Sequence, residues 1–254
     1  MQVTYLATSN GSAARNCFVT THVINECVAI DAGSLGLALD VKEQRKIRHV
    51  FLTHSHLDHL ASLPLFLENV YDLGQDCVTL YGNAHVLECL QNHFFNESIW
   101  PDLVALSQKY PPFLKMHVLQ PGEKIEVEGL QFTSIPVNHA VPTMGFLIEE
   151  EEVAVAIPSD TGPTEEFWKQ ANTLTHLKAV FLEAAFPERM EKLATIAKHL
   201  TPSMMKKEVQ KIDRPIKIIA LHLKPSFHDE IMQELLALGL PDLEIIEPGK
   251  VYHF

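Results

Sequence analysis

Short apolar runs bounded by polar and turn-forming residues alternate along this chain with longer stretches whose apolar positions recur three and four apart. The first pattern predicts buried strands and the second amphipathic helices. In the first half, strands are predicted at 3–7, 17–21, 27–31, 50–53 and 78–81, and helices at 35–46, 57–73 and 84–95, with Pro64 distorting the second of these. The aromatic-rich stretch HFFNESIWPDLVALSQKYPPFL, about 93–114, reads as helical pieces broken at Pro101 and at Pro111 and Pro112. In the second half, strands are predicted at 115–119, 130–136, 144–149, 153–157, 179–183, 216–221 and near 245. Helices are predicted there at 164–172, 187–199, 202–211 and 229–238, and the acidic run 149–152 is the polar tip of a hairpin. No repeat, low-complexity tract or Pro/Gly/Ser-rich linker interrupts the pattern. Residues 1–254 are therefore expected to form one α/β domain of two sheets with flanking helices, with 93–114 as a helical insertion.

Composition narrows the class of function. A formal charge of −12 lacks the basic footprint that long nucleic acids require, because phosphate neutralisation supplies most of that affinity. An anionic substrate would need a local attractor, and a bound metal ion is the strongest available. No apolar run approaches the ~20 residues of a membrane span, and the first residues show no basic and apolar secretory pattern. The four cysteines, Cys17, Cys27, Cys77 and Cys89, form no C-x-x-C pair and are expected as free thiols. A reducing, cytoplasmic location is the expectation.

The 14 histidines matter through their spacing. The run VFLTHSHLDHL delivers His54, His56, Asp58 and His59 where a buried strand passes into a helix, the end of a strand at which α/β folds place their sites. His54 and His56, two apart, face one point, while Asp58 and His59 enter the helix and face a neighbouring one. One motif thus offers ligands to two adjacent metal positions. Later strand ends add His139, Asp160 and His222. A single His or Asp at a strand end is more often a turn former, but together with the motif they complete a set.

The order of these residues resembles the metallo-β-lactamase superfamily: an early acid, here Asp31 of AIDAGS, then H-x-H-x-D-H, a His, an Asp and a final His. The resemblance implies a four-layer αβ/βα sandwich with a dinuclear site at one edge between the sheets. It implies that His54, His56 and His139 hold one metal, that Asp58, His59 and His222 hold the other, that Asp160 bridges them, and that Asp31 orients ligands from behind. A donor set without thiolate suits two Zn2+ ions, with manganese or iron as alternatives. Within the superfamily, HSHLDHLASLPLFL, NHFFNESIWPDL, SDTGP, FLEAAF and HLKP are similar to class II cyclic-nucleotide phosphodiesterases. That likeness implies hydrolysis of 3′,5′-cyclic AMP or GMP to nucleoside 5′-monophosphates by a metal-bridging hydroxide, with a small-molecule cyclic nucleotide as partner, and is compatible with a homodimer.

Asp58, Asp160, Glu183 and Lys224 are the candidate catalytic residues: Lys224 offers a cation to the phosphate or leaving oxygen, and Glu183 orients a ligand or a water. Thr161 and Ser159 flank the bridging acid, and Asn96 and Trp100, with Phe94, Phe95 and Phe113, are candidates to hold the base. Each also has a structural reading, as helix caps or core packing. The remaining histidines, His199 among them, receive no role. Three rivals stand beside this reading. A tRNA 3′-processing endonuclease would need a Gly- and Lys/Arg-rich arm that the sequence lacks, a thioester or lactam hydrolase would not need FNESIWPDL, and a non-catalytic binding module would not need every ligand position filled.

Overall fold

Two runs of strands account for the apolar pattern. In the computed structural model, which describes residues 1–6, 19–71, 77–110 and 112–254, the first half supplies β1 (Gln2–Tyr5), β2 (His22–Ile24), β3 (Val28–Ile30), β4 (His49–Phe51), β5 (Val78–Gly82) and β6 (Leu114–Val118). With β14 (Val251–His253) they make a seven-stranded sheet in the order β14-β1-β2-β3-β4-β5-β6. The second half supplies β7 (Lys124–Val127), β8 (Leu130–Val137), β9 (Thr143–Glu150), β10 (Val153–Ser159), β11 (Leu177–Glu183), β12 (Lys217–Leu221) and β13 (Leu243–Ile245). They form another seven-stranded sheet, β13-β12-β11-β10-β9-β8-β7.

The sheets pack face to face through aromatic side chains. Phe51 of β4 stacks on Phe132 of β8 at 4.0 Å between ring centroids and on Tyr81 of β5 at 4.4 Å, and meets Phe146 of β9 edge-on. Helices cover both outer faces. α1 (Leu35–Ala38), α2 (Val41–Gln44), α3 (Leu57–Leu60), α4 (Leu63–Asn69), α5 (Ala84–Cys89) and α6 (Leu103–Lys109) lie with the first sheet. Leu35, Leu63, Phe66, Val86 and Leu87 are buried there against Ala29, Val50 and Leu80. α7 (Glu166–Ala171), α8 (Glu191–Ala197), α9 (Pro202–Val209) and α10 (His228–Ala237) cover the second sheet, where Trp168, Ala194, Met205 and Leu235 pack on Ala154, Val180 and Ile218. The result is the four-layer αβ/βα sandwich expected. No helix among the described residues is long and apolar enough to cross a membrane.

Several predicted elements differ in detail. The helix at 35–46 is two, because Leu39 is extended and Asp40 starts α2 with a capping box to Glu43. The helix at 57–73 divides after Leu60, and Pro64 sits in the first turn of α4, where a missing N–H costs nothing. β7 and β14 leave no apolar run in the sequence; both are short edge strands exposed on one face. The predicted strand 17–21 lies partly outside the described residues and Cys17 wholly outside them; the described strand in this region is β2. Cys27, Cys77 and Cys89 are free thiols.

His22 of β2 is a buried histidine whose two ring nitrogens have no partner among the described residues. Its ring lies between Tyr5 and Phe181, 5.1 and 5.6 Å away. Burial, and then the charge of His59, push its pKa down to about 3. The unfolded chain binds a proton here below the ordinary 6.5 and the folded chain does not, so His22 favours folding fully above that pH and progressively less as pH falls toward 3. The unfolding free energy of wild type should fall in that window by up to about 1.4 kcal/mol per pH unit more than that of His22→Leu. Parallel denaturant titrations from pH 7 to 4 check this; superimposable slopes would refute it.

Candidate metal centre

Strand direction gathers the motif residues at one edge of the sandwich. β3 and β4 run parallel, as do β10, β11 and β12, and two antiparallel steps through β9 bring β8 into line with β10. The carboxyl ends therefore deliver Asp31 after β3, His54 after β4, His139 after β8, Asp160 after β10, Glu183 on β11 and His222 after β12. Three of these ends bend sharply: Asp31, Ser159 and His222 have φ of 60°, 62° and 59°, left-handed values that cost non-glycine residues energy and concentrate at functional sites. Gly33 makes room for the loop, since a Cβ there would stand 2.1 Å from the Asp58 carbonyl oxygen.

Two donor groups result. His54, His56, His139 and Asp160 each bring one ligand atom into a cluster no wider than 4.8 Å, and Asp58, His59, Asp160 and His222 form a second cluster sharing Asp160. In the first, His56 Nδ1 lies 3.1 Å from His54 Nε2 and 3.2 Å from His139 Nε2. In the second, His222 Nε2 is 3.2 Å from Asp58 Oδ2 and 3.5 Å from Asp160 Oδ2.

Hydrogen bonds behind the cluster decide which nitrogen His54, His59 and His139 offer. Asp31, 1 % exposed, accepts from Thr53 N at 2.8 Å and from the Thr53 hydroxyl at 2.9 Å. A carboxylate only accepts, so the single hydroxyl hydrogen goes to Asp31. The Thr53 oxygen is then the acceptor for His54 Nδ1 at 2.9 Å, which leaves the His54 Nε2 lone pair for the cluster. Asp31 Oδ2 also takes His59 Nδ1 at 2.6 Å, and the Lys198 carbonyl takes His139 Nδ1 at 3.1 Å.

The electrostatics divide in the same way. Burial holds His54 well below the usual imidazole range, with the charge of His59 adding to it, and burial lowers His56 and His139 too. Neutral imidazole is the metal-binding form. At His59 burial opposes a charge, but Asp160 and Asp31 outweigh it and raise the pKa well above the ordinary value. Burial likewise disfavours ionised Asp160 and Asp58; His222 and His59 outweigh it and keep both carboxyls low.

These residues fit a divalent cation. His59 Nε2 is buried with no hydrogen-bond partner among the described residues, while Asp160 Oδ2 and Asp58 Oδ2 stand 3.5 and 3.7 Å away. An orphaned ring nitrogen facing two carboxylates beyond hydrogen-bond range marks a place for a positive charge.

The other predicted site residues fall in different places. Glu183, fully buried, accepts from Thr161 N at 2.7 Å and from Leu200 N at 3.3 Å, and both its oxygens lie 3.0 Å from His199 Nδ1. The Thr161 hydroxyl donates to the Gly162 carbonyl, and Ser159 Oγ is buried without a partner among the described residues. Lys224 Nζ sits 4.9 Å over the Phe186 ring, which meets the His199 ring in a T-shaped contact at 5.7 Å between centroids. Asn96 caps a turn, accepting from Ser98 N and Ile99 N, and Trp100 packs on the outer cluster of the first sheet. Neither has a hydrogen bond or ring contact to the donor groups among the described residues.

His199 and Thr53 are the residues that sequence reasoning missed. The His199 ring stacks on His222 at 5.7 Å, and burial opposes its charge but Glu183 raises its pKa. Glu183, His199 and His222 also lie close enough to count as a third donor group. Hydrogen-bond distance from Nδ1 to both Glu183 oxygens makes the first two an acid–imidazole pair, with no gap for an ion between them. A lone His at the end of a predicted helix carries no periodicity of its own; its one sequence signal is a glutamate at the end of the neighbouring strand.

A two-sheet sandwich with a His/Asp cluster between its strand ends defines the metallo-β-lactamase fold, which implies divalent metal ions. The chain belongs to this superfamily: the family described as Beta-lactamase superfamily domain matches residues 31–222. It is 25 % identical over 225 residues to a probable 3′,5′-cyclic-nucleotide phosphodiesterase of Yersinia pestis, covering 79 % of this chain and 63 % of that one. It is 30 % identical over 197 residues to a ribonuclease Z of Lacticaseibacillus casei, covering 69 % of this chain and 58 % of that one. The chain thus spans less than two thirds of the length of either relative. The crystal structure of unliganded yeast PDE1 superposes with a TM-score of 0.78 at 18 % identity, covering 98 % of both chains, a likeness of fold.

Proposed function

We propose that this protein is a metal-dependent phosphodiesterase that hydrolyses 3′,5′-cyclic nucleotides to nucleoside 5′-monophosphates, and that residues 1–254 act as one metallo-hydrolase domain. The observation that carries the proposal is the pair of donor groups sharing Asp160. His54, His56, His139 and Asp160 would hold one ion, and Asp58, His59, His222 and Asp160 the other. The all-nitrogen-and-oxygen set suits zinc, with manganese or iron as alternatives. What divalent ions supply when bound is Lewis acidity toward phosphoryl oxygens and acidification of water to near-neutral pKa.

The chain's own groups complete the reaction. Water adds to phosphorus as the bond to the 3′ oxygen breaks, and that oxygen needs a proton. His199 is the donor: Glu183 engages Nδ1 and favours the imidazolium, which leaves Nε2–H for the leaving oxygen. Lys224, ordered over Phe186, supplies a fixed cation beside this pair for the phosphate. Thr161 acts through its backbone, holding Glu183 in place. Asn96 and Trp100 would meet a substrate only at the outer rim.

The nearby ribonuclease Z relatives favour a second reading, a tRNA 3′-processing phosphodiesterase using the same centre. The charge of −12 and the missing basic arm weigh against it. Purified protein should contain two divalent ions per chain and turn over 3′,5′-cyclic AMP or GMP, with little action on precursor tRNA or on a thioester panel. Faster cleavage of precursor tRNA than of either cyclic nucleotide would reverse the order of the two readings, and thioester hydrolysis alone would sink both.

A further inference from the structure

Lys198 ends α8 in the left-handed conformation, φ 55° and ψ 52°. Glycine or asparagine is the usual occupant of such a position, because other residues meet a steric cost there. The lysine side chain does something a glycine cannot. Its ammonium donates to the main-chain carbonyl of His139 at 2.9 Å, while its own carbonyl accepts from His139 Nδ1 at 3.1 Å. A carbonyl only accepts, so the proton of the neutral His139 ring is held on Nδ1 and the lone pair on Nε2, which lies 3.2 Å from His56 Nδ1. One residue therefore grips both the ring and the backbone of His139.

The grip has a rigid seat. A Cβ on Gly162 would stand 3.4 Å from Lys198 Cα and 3.4 Å from Asn138 Nδ2. Gly162 N donates to the Asn138 carbonyl at 2.7 Å, and Asn138 Nδ2 donates to the Pro163 carbonyl at 3.0 Å. The loop after Asp160, the loop before His139 and the turn at Lys198 are thus packed as one unit. The next residue in that turn is His199, itself fastened to Glu183.

We propose that Lys198 is a positioning residue that holds His139 in ligating orientation, so that its side chain tunes the affinity of the ion in the His54, His56, His139 and Asp160 group and not of its neighbour. This rests on the metal reading given above. Outer hydrogen bonds of this kind change metal affinity by about 10–100-fold.

Zinc titration of the full chain against a competing chelator tests it. Lys198→Gly should weaken one of two ions by about 10–100-fold and leave the other unchanged. The metal-free variant should melt no lower than wild type, because glycine relieves the left-handed backbone. Lys198→Arg, which keeps a cationic donor, should retain most of the affinity. In a His222→Ala background, where the second group is broken, Lys198→Gly should weaken the remaining ion. Wild-type affinity for both ions in Lys198→Gly, or equal weakening of both together with a lower melting temperature, overturns the proposal. Wild-type protein that binds no zinc overturns the metal reading itself, and is scored before any variant.

Discussion

Asp160→Ala protein is expected to purify with fewer than one divalent ion per chain and to lose turnover of cyclic nucleotides by on the order of 10⁴-fold or more, the scale of removing metal-assisted activation altogether. The residue is 2 % exposed and, among the described residues, is the only donor common to both groups. Its loss removes one ligand from each group at once. It also removes the negative charge that balances His59 and His222. The fold should survive: β10 keeps its ladders to β9 and β11, and the side chain contributes to neither hydrophobic face. Elemental analysis, far-UV circular dichroism and turnover on one preparation check the three parts together. Two retained ions, or rates like wild type, would contradict the assignment of Asp160 as the shared donor.

His199→Ala should keep both ions and lose about 10²–10⁴-fold in kcat on cyclic AMP or GMP, the usual contribution of a positioned acid. The size of the loss should depend on the leaving group. An alkoxide leaving from a cyclic ribose phosphate needs a proton, whereas p-nitrophenolate does not. Bis(p-nitrophenyl) phosphate should therefore be cleaved by the variant at a rate near wild type. Glu183→Gln keeps an acceptor for Thr161 N but not the negative charge that favours imidazolium at His199, so the same split between substrates should follow in weaker form. A merely structural role for the pair would slow both substrates alike. Equal losses on both, or loss of an ion from His199→Ala, would remove His199 from the reaction and return it to the scaffold.

Legibility in the sequence followed the range of the interaction responsible. Buried strands such as β4, β10 and β12 announce themselves by unbroken apolar residues, because both faces of each are covered. Edge strands β7 and β14 alternate or are largely exposed; β7 is held by its hairpin to β8, and β14 by pairing with β1 at the far end of the chain. The divided helices at 35–46 and 57–73 have continuous apolar periodicity; the capping box of Asp40 starts a new helix in the first, and the second breaks at Ala61 and Ser62. Asn96 shows the opposite limit: its type suits either a base edge or a turn, and local hydrogen bonds to Ser98 N and Ile99 N engage it.

By itself the sequence determined which side chains could ligate and where along the chain they fall, because His54, His56, Asp58 and His59 are neighbours and strand ends are local features. It determined the alternation of strands and helices, and a formal charge of −12. Only the tertiary structure decided that His139, Asp160 and His222 converge on that motif, and that Thr53 and Lys198 choose the nitrogens presented. It alone joined His199 to Glu183. Those pairings link residues on separate strands and turns, and no local periodicity encodes a hydrogen bond whose partners meet only when two sheets close on one another.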